Sequence, residues 1–247
     1  MAGLGYLELL WVAVSMFAAF TVRGMSGFGA GMISVPLLAF VVPLQVAVPL
    51  NSLLVFVLFI ALMIRDHRQI DWTELRRLIP PTMVGAVAGL WLFAVLDNRV
   101  LVLLLGAFLI VYALYMLTVS VLGLPQLRCS TRWAWPAGAV GGFFDTIFGG
   151  GGGTLVVIYV NARGMARDSF RATLAALWFF EMLARIAGYA WSGYYTSQVL
   201  WLLVLMLPVM GAATLAGERL GNRIDGETFT RLLAVLLFAS GISLLAK

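Results

Sequence analysis

Charge is what this sequence has least of. Asp, Glu, Lys and Arg make up 11% of its 247 residues, where a soluble domain carries roughly 25%. Hydrophobic residues reach 62%, and the mean hydropathy is +1.01. A fold of this length has too little interior to hide that much apolar side chain, so the chain is expected to lie in a membrane. The shortage of charge excludes a soluble enzyme and a disordered chain. Cysteine is nearly absent, and the single Cys129 excludes an internal disulfide, a secreted disulfide scaffold and a cysteine-based metal site. His67 is the one histidine; it sits in a basic loop and reads as a solvated residue. No Walker motif, zinc-ligand spacing or nucleophile elbow occurs, so neither a cofactor nor a metal is expected. The net charge of +5 is no sign of nucleic acid, because the charges sit in short loops between apolar runs. There a basic excess orients a membrane protein. No Lys or Arg precedes Leu9, whereas Glu8 does, so the run 9–22 reads as mature structure and not as a cleaved signal.

What is present is a series of apolar stretches. The sequence predicts full crossings at 45–64, 78–96, 100–122, 172–190 and 199–217, each near the ~20 residues a spanning helix needs. A shorter sixth covers 232–246, starting around Phe229. Two further regions are apolar but interrupted. Residues 4–43 are broken by Arg23-Gly24-Met25-Ser26-Gly27-Phe28-Gly29-Ala30-Gly31, and residues 133–161 by Asp145 and the five glycines 149–153. Each glycine weakens a helix by roughly 1 kcal/mol relative to alanine, so both regions read as helix, unwound loop, helix. Irregular backbone at membrane depth survives only where protein or a polar cavity supports it.

The chain also repeats itself. An offset of 122 lays Gly27–Gly31 on Gly149–Gly153, Asn51 on Thr173 and Arg23 on Asp145. An offset of 128 lays Pro80 on Pro208, Gly89 on Gly217 and Asp97 on Asp225. The expected organisation is a first repeat over 1–122, a cytoplasmic linker over 123–132 and a second repeat over 133–247. The basic residues alternate between the halves, as inverted repeats require. Loop 65–77 holds four arginines while its counterpart 191–198 holds none, and the turn 97–99 holds one while its counterpart holds Arg219, Arg223 and Arg231. If each broken region enters and returns as a hairpin, twelve of the sixteen basic residues fall in cytoplasmic loops. A single crossing by each region splits them evenly, so the hairpin arrangement is expected. Both chain ends then lie outside. The second hairpin is too short for two crossings and should be re-entrant. The expected fold is therefore an all-α integral membrane protein of two inverted-topology repeats, each a broken or re-entrant hairpin plus three spanning helices.

The candidate chemistry follows from the breaks. A helix restarting after each break presents free N–H groups and partial positive charge near the midplane, at about Gly31 and Thr154. Glycine lets an anion approach those groups. Two such helix starts at repeat-related positions, rather than one, favour an anion site over mere close packing of helices. The substrate-binding candidates are Arg23, Gly27, Gly29, Gly31, Asn51, Ser52, Gly149, Gly151, Gly153, Thr154, Thr173 and Arg185. Arg23, Asp145, Glu181 and Arg185 lie deep in apolar sequence, where a charge usually faces a partner or a cavity. Two structural ion pairs would satisfy them equally. In the functional version the arginines attract the anion, and Asp145 or Glu181 carries a proton. Asn51, Ser52 and Thr173 can donate to oxyanions or bridge helices. Tryptophans and other aromatics read as lipid contact, core and interface belts, and Cys129 as a free cytosolic thiol.

Gly27-Phe-Gly-Ala-Gly-Met-Ile-Ser-Val-Pro36 resembles the first glycine-rich motif of the TauE/SafE sulfite exporter family, also called TSUP. Gly141-Gly-Phe-Phe-Asp-Thr-Ile-Phe-Gly-Gly-Gly-Gly-Gly153, followed by Ala162-Arg163-Gly164, is similar to its second. Thr154-Leu155-Val156 stands where that family commonly has a proline. The resemblance covers nearly the whole chain. It implies transport of small anions, chiefly sulfite, sulfonates and related carboxylates, across a bacterial inner membrane. The expected function is thus a secondary transporter of small, sulfur-containing anions, with protons as possible coupling partners and the lipid bilayer as its surroundings. An anion channel would use the same breaks, and a membrane-embedded enzyme or assembly factor lacks a recognisable nucleophile–base set.

Overall fold

In the computed structural model, residues 5–26, 29–122, 130–220 and 226–246 are described. Ten α-helices run through them: α1 (Tyr6–Ser26), α2 (Ala30–Leu38), α3 (Leu44–Asp66), α4 (Trp72–Val95), α5 (Asn98–Leu122), α6 (Ala134–Phe148), α7 (Gly153–Ala162), α8 (Arg167–Trp191), α9 (Ser197–Leu220) and α10 (Gly226–Leu245). Short 3-10 turns cover His67–Gln69 and Thr131–Trp133, and no strand occurs among the described residues. Helices α3, α4, α5, α8, α9 and α10 cover the six stretches expected to cross, and both interrupted regions are two helices with a break between them. α1, α4, α5 and α9 are long and apolar enough to cross a membrane. Glu181 and Arg185 interrupt the apolar run of α8. At 1.5 Å per residue, the 9 residues of α2 and the 10 of α7 cover only about 13–15 Å. Neither can cross a hydrocarbon layer ~30 Å thick.

The helix ends have local causes. Asp71 caps α4: its Oδ1 accepts the N–H groups of Thr73 at 2.9 Å and Glu74 at 3.1 Å. Asn98 Oδ1 accepts the Leu44 N–H at 2.8 Å, fixing the start of α3. The breaks depend on left-handed backbone that side chains avoid. Gly29, before α2, has φ 90°, while Gly149 and Gly151, between α6 and α7, have φ 73° and 99°. One boundary differs from the sequence expectation. α1 continues through Arg23-Gly24-Met25-Ser26, so Arg23 is helical and not part of the unwound segment. α2 starts at Ala30 and α7 at Gly153, each one residue before the start expected from the sequence. The first break is thus narrower than its glycine content suggested, because burial of all but one residue of α2 outweighs the weak propensity of Gly31. Gly27, Cys129, Arg223 and Lys247 lie outside the described residues, as does most of the linker, 123–129.

The helices gather into two compact units that do not follow the chain halves. One comprises Met1–Asn51, Leu96–Pro125 and Ser197–Lys247; the other comprises Ser52–Val95 and Gln126–Thr196. In the first, α1 packs on α9 and α2, and α5 on α10. In the second, α4 packs on α6 and α8, and α6 on α7. Small residues line the seams, as expected where lipid gives helices no hydrophobic reason to associate. A methyl group at Gly85 would overlap the Ala139 carbonyl oxygen, and one at Gly217 that of Thr21. The outward faces are apolar, with Val87, Trp91, Val111, Val204 and Val235 exposed. Such a surface suits lipid tails and would be a liability in water. Exposed Trp72, Trp133, Trp135 and Trp191 sit at or near helix ends, the usual place of interfacial tryptophan.

The α5–α10 seam gives a direct test. A methyl at Gly241 would lie 2.8 Å from the Gly106 carbonyl oxygen, whereas Gly211 on α9 has no atom within 4 Å. Gly241→Ala is expected to cost about 1–3 kcal/mol through overpacking. Gly211→Ala should be neutral or stabilising, since alanine is the better helix former. Thermal unfolding of both variants in detergent checks this.

Candidate functional site

The second unit holds a buried charged cluster built on one face of α8. Glu181, Arg185 and Tyr189 follow one another at four-residue spacing, so their side chains lie one above the other. Glu181 is 1% and Arg185 2% exposed. Arg185 Nη1 lies 3.6 Å from Glu181 Oε1, an ion pair too long to be a hydrogen bond. Arg185 Nη2 donates to Ser52 Oγ at 3.3 Å, and the Tyr189 hydroxyl donates to the Thr146 carbonyl. Among the described residues, Arg185 Nε finds no hydrogen-bond acceptor and Glu181 Oε1 no donor. A buried polar atom without a partner costs roughly 1–3 kcal/mol, more when charged. In native proteins an ordered water, an ion or a functional role accounts for such atoms.

Asp145, on the last turn of α6, is buried and in the electrostatic field of both Arg185 and Glu181. Its carboxylate accepts the backbone N–H groups of Gly152 and Gly153 at the start of α7. Thr154 donates its N–H to the Gly151 carbonyl at 3.4 Å, and Leu155 to that of Gly152 at 3.1 Å. Gly153 has no room for a side chain: a methyl there would lie 3.0 Å from the Trp178 ring and 3.1 Å from Asp145 Oδ2. Phe93 of α4 packs against Tyr189 and Tyr194, with ring centroids 5.6 and 5.4 Å away. The cluster therefore combines two carboxylates and one guanidinium with aromatic packing beside it.

In the first unit, Asn51 and Ser34 are fully buried, and Ser34 Oγ donates to Asn51 Oδ1 at 2.9 Å, joining α2 to α3. Arg23 is buried on the final turn of α1, next to Gly24, whose backbone meets Gly217 of α9. The structure thus brings Ser52, Asp145, Gly153, Glu181 and Arg185 together in one unit, and places Arg23, Gly29, Gly31 and Asn51 in the other. Thr173 belongs to neither cluster. Its Oγ1 accepts the Asp71 N–H at 2.9 Å, and twelve residues of helix put it about 18 Å from Arg185.

Two groups escaped the sequence reading. Tyr189 is one helical turn beyond Arg185, a spacing that could have marked it. Glu74 is the centre of a second network: it is 5% exposed and receives Arg77 Nη1 at 2.7 Å, the Tyr159 hydroxyl at 2.9 Å and Arg163 Nε at 3.2 Å. These contacts tie the C-terminal end of α7 to the start of α4. A carboxylate three residues before an arginine, within an arginine-rich loop, was the available signal.

The family model described as sulfite exporter TauE/SafE matches residues 11–244. A curated relative, the probable inner membrane transporter protein TsaS of Comamonas testosteroni, is 29% identical over 184 residues, covering 72% of this chain and 74% of that protein. No solved structure matches.

Proposed function

Because the chain belongs to the sulfite exporter TauE/SafE family, we propose that it is an inner-membrane secondary transporter that carries small sulfur oxyanions or related carboxylates, coupled to protons. The carrying observation is Arg185, a guanidinium buried in an apolar helix with its Nε donor unclaimed. A buried cation with an open N–H group is suited to an oxyanion, whose contact with it is charge-assisted. The glycine break before α7 serves the same end, since a helix start without side chains is where an anion can approach backbone N–H groups. Glu181 is the proton carrier in this reading, since its Oε1 has no donor and can take up a proton. An anion added beside two carboxylates and one arginine deepens a buried negative charge, and a proton on Glu181 offsets it.

The same reading treats the chain as two inverted repeats that exchange partners. Under the offsets of 122 and 128, Gly24 corresponds to Thr146 and Gly217 to Gly89. Gly24 meets Gly217 in the α1–α9 seam, and Thr146 meets Gly89 in the α4–α6 seam. Equivalent positions thus serve equivalent contacts in the two units, and the alternating basic loops support opposite orientations in the membrane.

The test is a panel of sulfite, an alkylsulfonate, sulfate and acetate against purified protein. A bound anion raises the unfolding temperature by mass action. Sulfite or the sulfonate should do so, and in proteoliposomes the same anion should move uphill when a proton gradient is imposed. Stability unmoved by any of them, with no flux, rejects the proposal.

A further inference from the structure

We infer that Asp145 is a tethered competitor of the transported anion: its carboxylate fills the N–H cradle at the start of α7, and an oxyanion enters by displacing it. This rests on the transport reading above and assigns the chemistry of the same site. Of the N–H groups from Gly152 to Leu155, two are given to Asp145 and two to the carbonyls of Gly151 and Gly152. The first turn of α7 therefore has no open donor for a substrate, although its glycines and helix start are what an anion site needs. Beside the filled cradle, Arg185 Nε and Glu181 Oε1 are buried without hydrogen-bond partners among the described residues. A carboxylate of the chain is standing where a free anion would stand, next to a cation with a donor to spare. The groups facing Asp145 within its unit are Arg185 and Glu181. On displacement its carboxylate remains in the field of Arg185, whose five N–H groups are enough for more than one acceptor.

The cradle also selects. Two consecutive N–H groups that hold both the position and the charge of a carboxylate suit a ligand with two oxygens on one atom, such as sulfite, a sulfonate or a carboxylate. Chloride brings one atom and no second oxygen for a further donor, so it is the weakest competitor for the cradle.

Titration calorimetry of sulfite, acetate and chloride against wild-type, Asp145→Asn and Asp145→Ala protein tests the assignment. Both variants are expected to bind sulfite at least about tenfold more tightly, because one charge-assisted contact no longer has to be broken. Asp145→Ala should also bind acetate more tightly than wild type, and chloride should gain nothing. Unchanged or weaker sulfite binding by the variants makes Asp145 a helix cap and overturns the inference. Should neither variant fold, infrared difference spectra of the Glu181→Gln protein, in which Asp145 is the carboxylate left in the cluster, take their place. A sulfite-induced shift of the carboxylate stretch supports displacement, and no shift overturns it. Wild-type protein that binds no oxyanion sinks the transport reading and this inference with it. Normal wild-type binding with unresponsive variants sinks this inference alone.

Discussion

Arg185→Gln is expected to weaken sulfite binding by about 10- to 150-fold, the effect of losing one hydrogen bond to a charged group worth roughly 1.5–3 kcal/mol. Glutamine keeps a donor for Ser52 Oγ, the partner that Arg185 Nη2 reaches at 3.3 Å, and removes only the charge and the fork. Arg185→Lys restores the charge without the planar pair of donors, so its affinity should fall between the two. Arg76 supplies the control, because it is exposed at the start of α4, where water screens its field. Arg76→Gln should change the affinity by less than about threefold. Calorimetry on the four proteins decides the matter, with unfolding temperatures measured alongside to exclude loss of fold. If Arg185→Gln and Arg76→Gln behave alike, Arg185 does not hold the anion.

The second large effect concerns protons. Anion affinity should rise as pH falls, because protonating Glu181 removes a negative neighbour and leaves Arg185 to the substrate. By linkage, the anion then raises the affinity for the proton by the same factor. The charged groups facing Glu181 in its unit are Arg185, 3.6 Å away, and Asp145. Glu181→Gln mimics the protonated carboxyl permanently. It should retain binding near the wild-type low-pH level while the pH dependence flattens, and uphill flux driven by a proton gradient should disappear. A variant that keeps the full pH dependence of binding and flux shows that another group carries the proton.

Much of this architecture could be read from the residues because membrane helices leave a simple trace. The long apolar runs became helices, though α4 and α10 each start six residues before the expected limit. The five-glycine run 149–153 ended one helix and began another, since nothing but glycine accepts φ near 99° at Gly151 without strain. Ambiguity arose where two weak preferences met. Arg23-Gly24-Met25-Ser26 contains one glycine, and the backbone of Gly24 is pressed against Gly217, so packing carried α1 through a stretch that propensity alone would unwind. The partners of the buried charges were illegible for a different reason. Glu181 and Arg185 are four apart on one helix and could be paired from spacing. The bonds from Asp145 to Gly152 and Gly153 depend on how tightly the α6–α7 break turns, and a row of glycines does not specify that. Glu74 meets Tyr159 across 85 residues of sequence, a pairing that only the packing of α7 creates. Ser34 bonded to Asn51 belongs to the same class.

The exchange of helices between the chain halves has a consequence for biosynthesis. Gly24 of α1 rests against Gly217 of α9, so 193 residues must be added after one side of that seam before the other exists. At ~5–20 residues per second the ribosome needs about 10–40 s to make them. During that interval α1 is inserted with its narrow glycine face bare to lipid or to the insertion machinery. α4 has a shorter wait for α6, with 54 residues separating Gly85 from Ala139. Neither half of the gene encodes a set of helices that can satisfy itself, and two separately translated halves would have to find each other in the bilayer before either could finish folding.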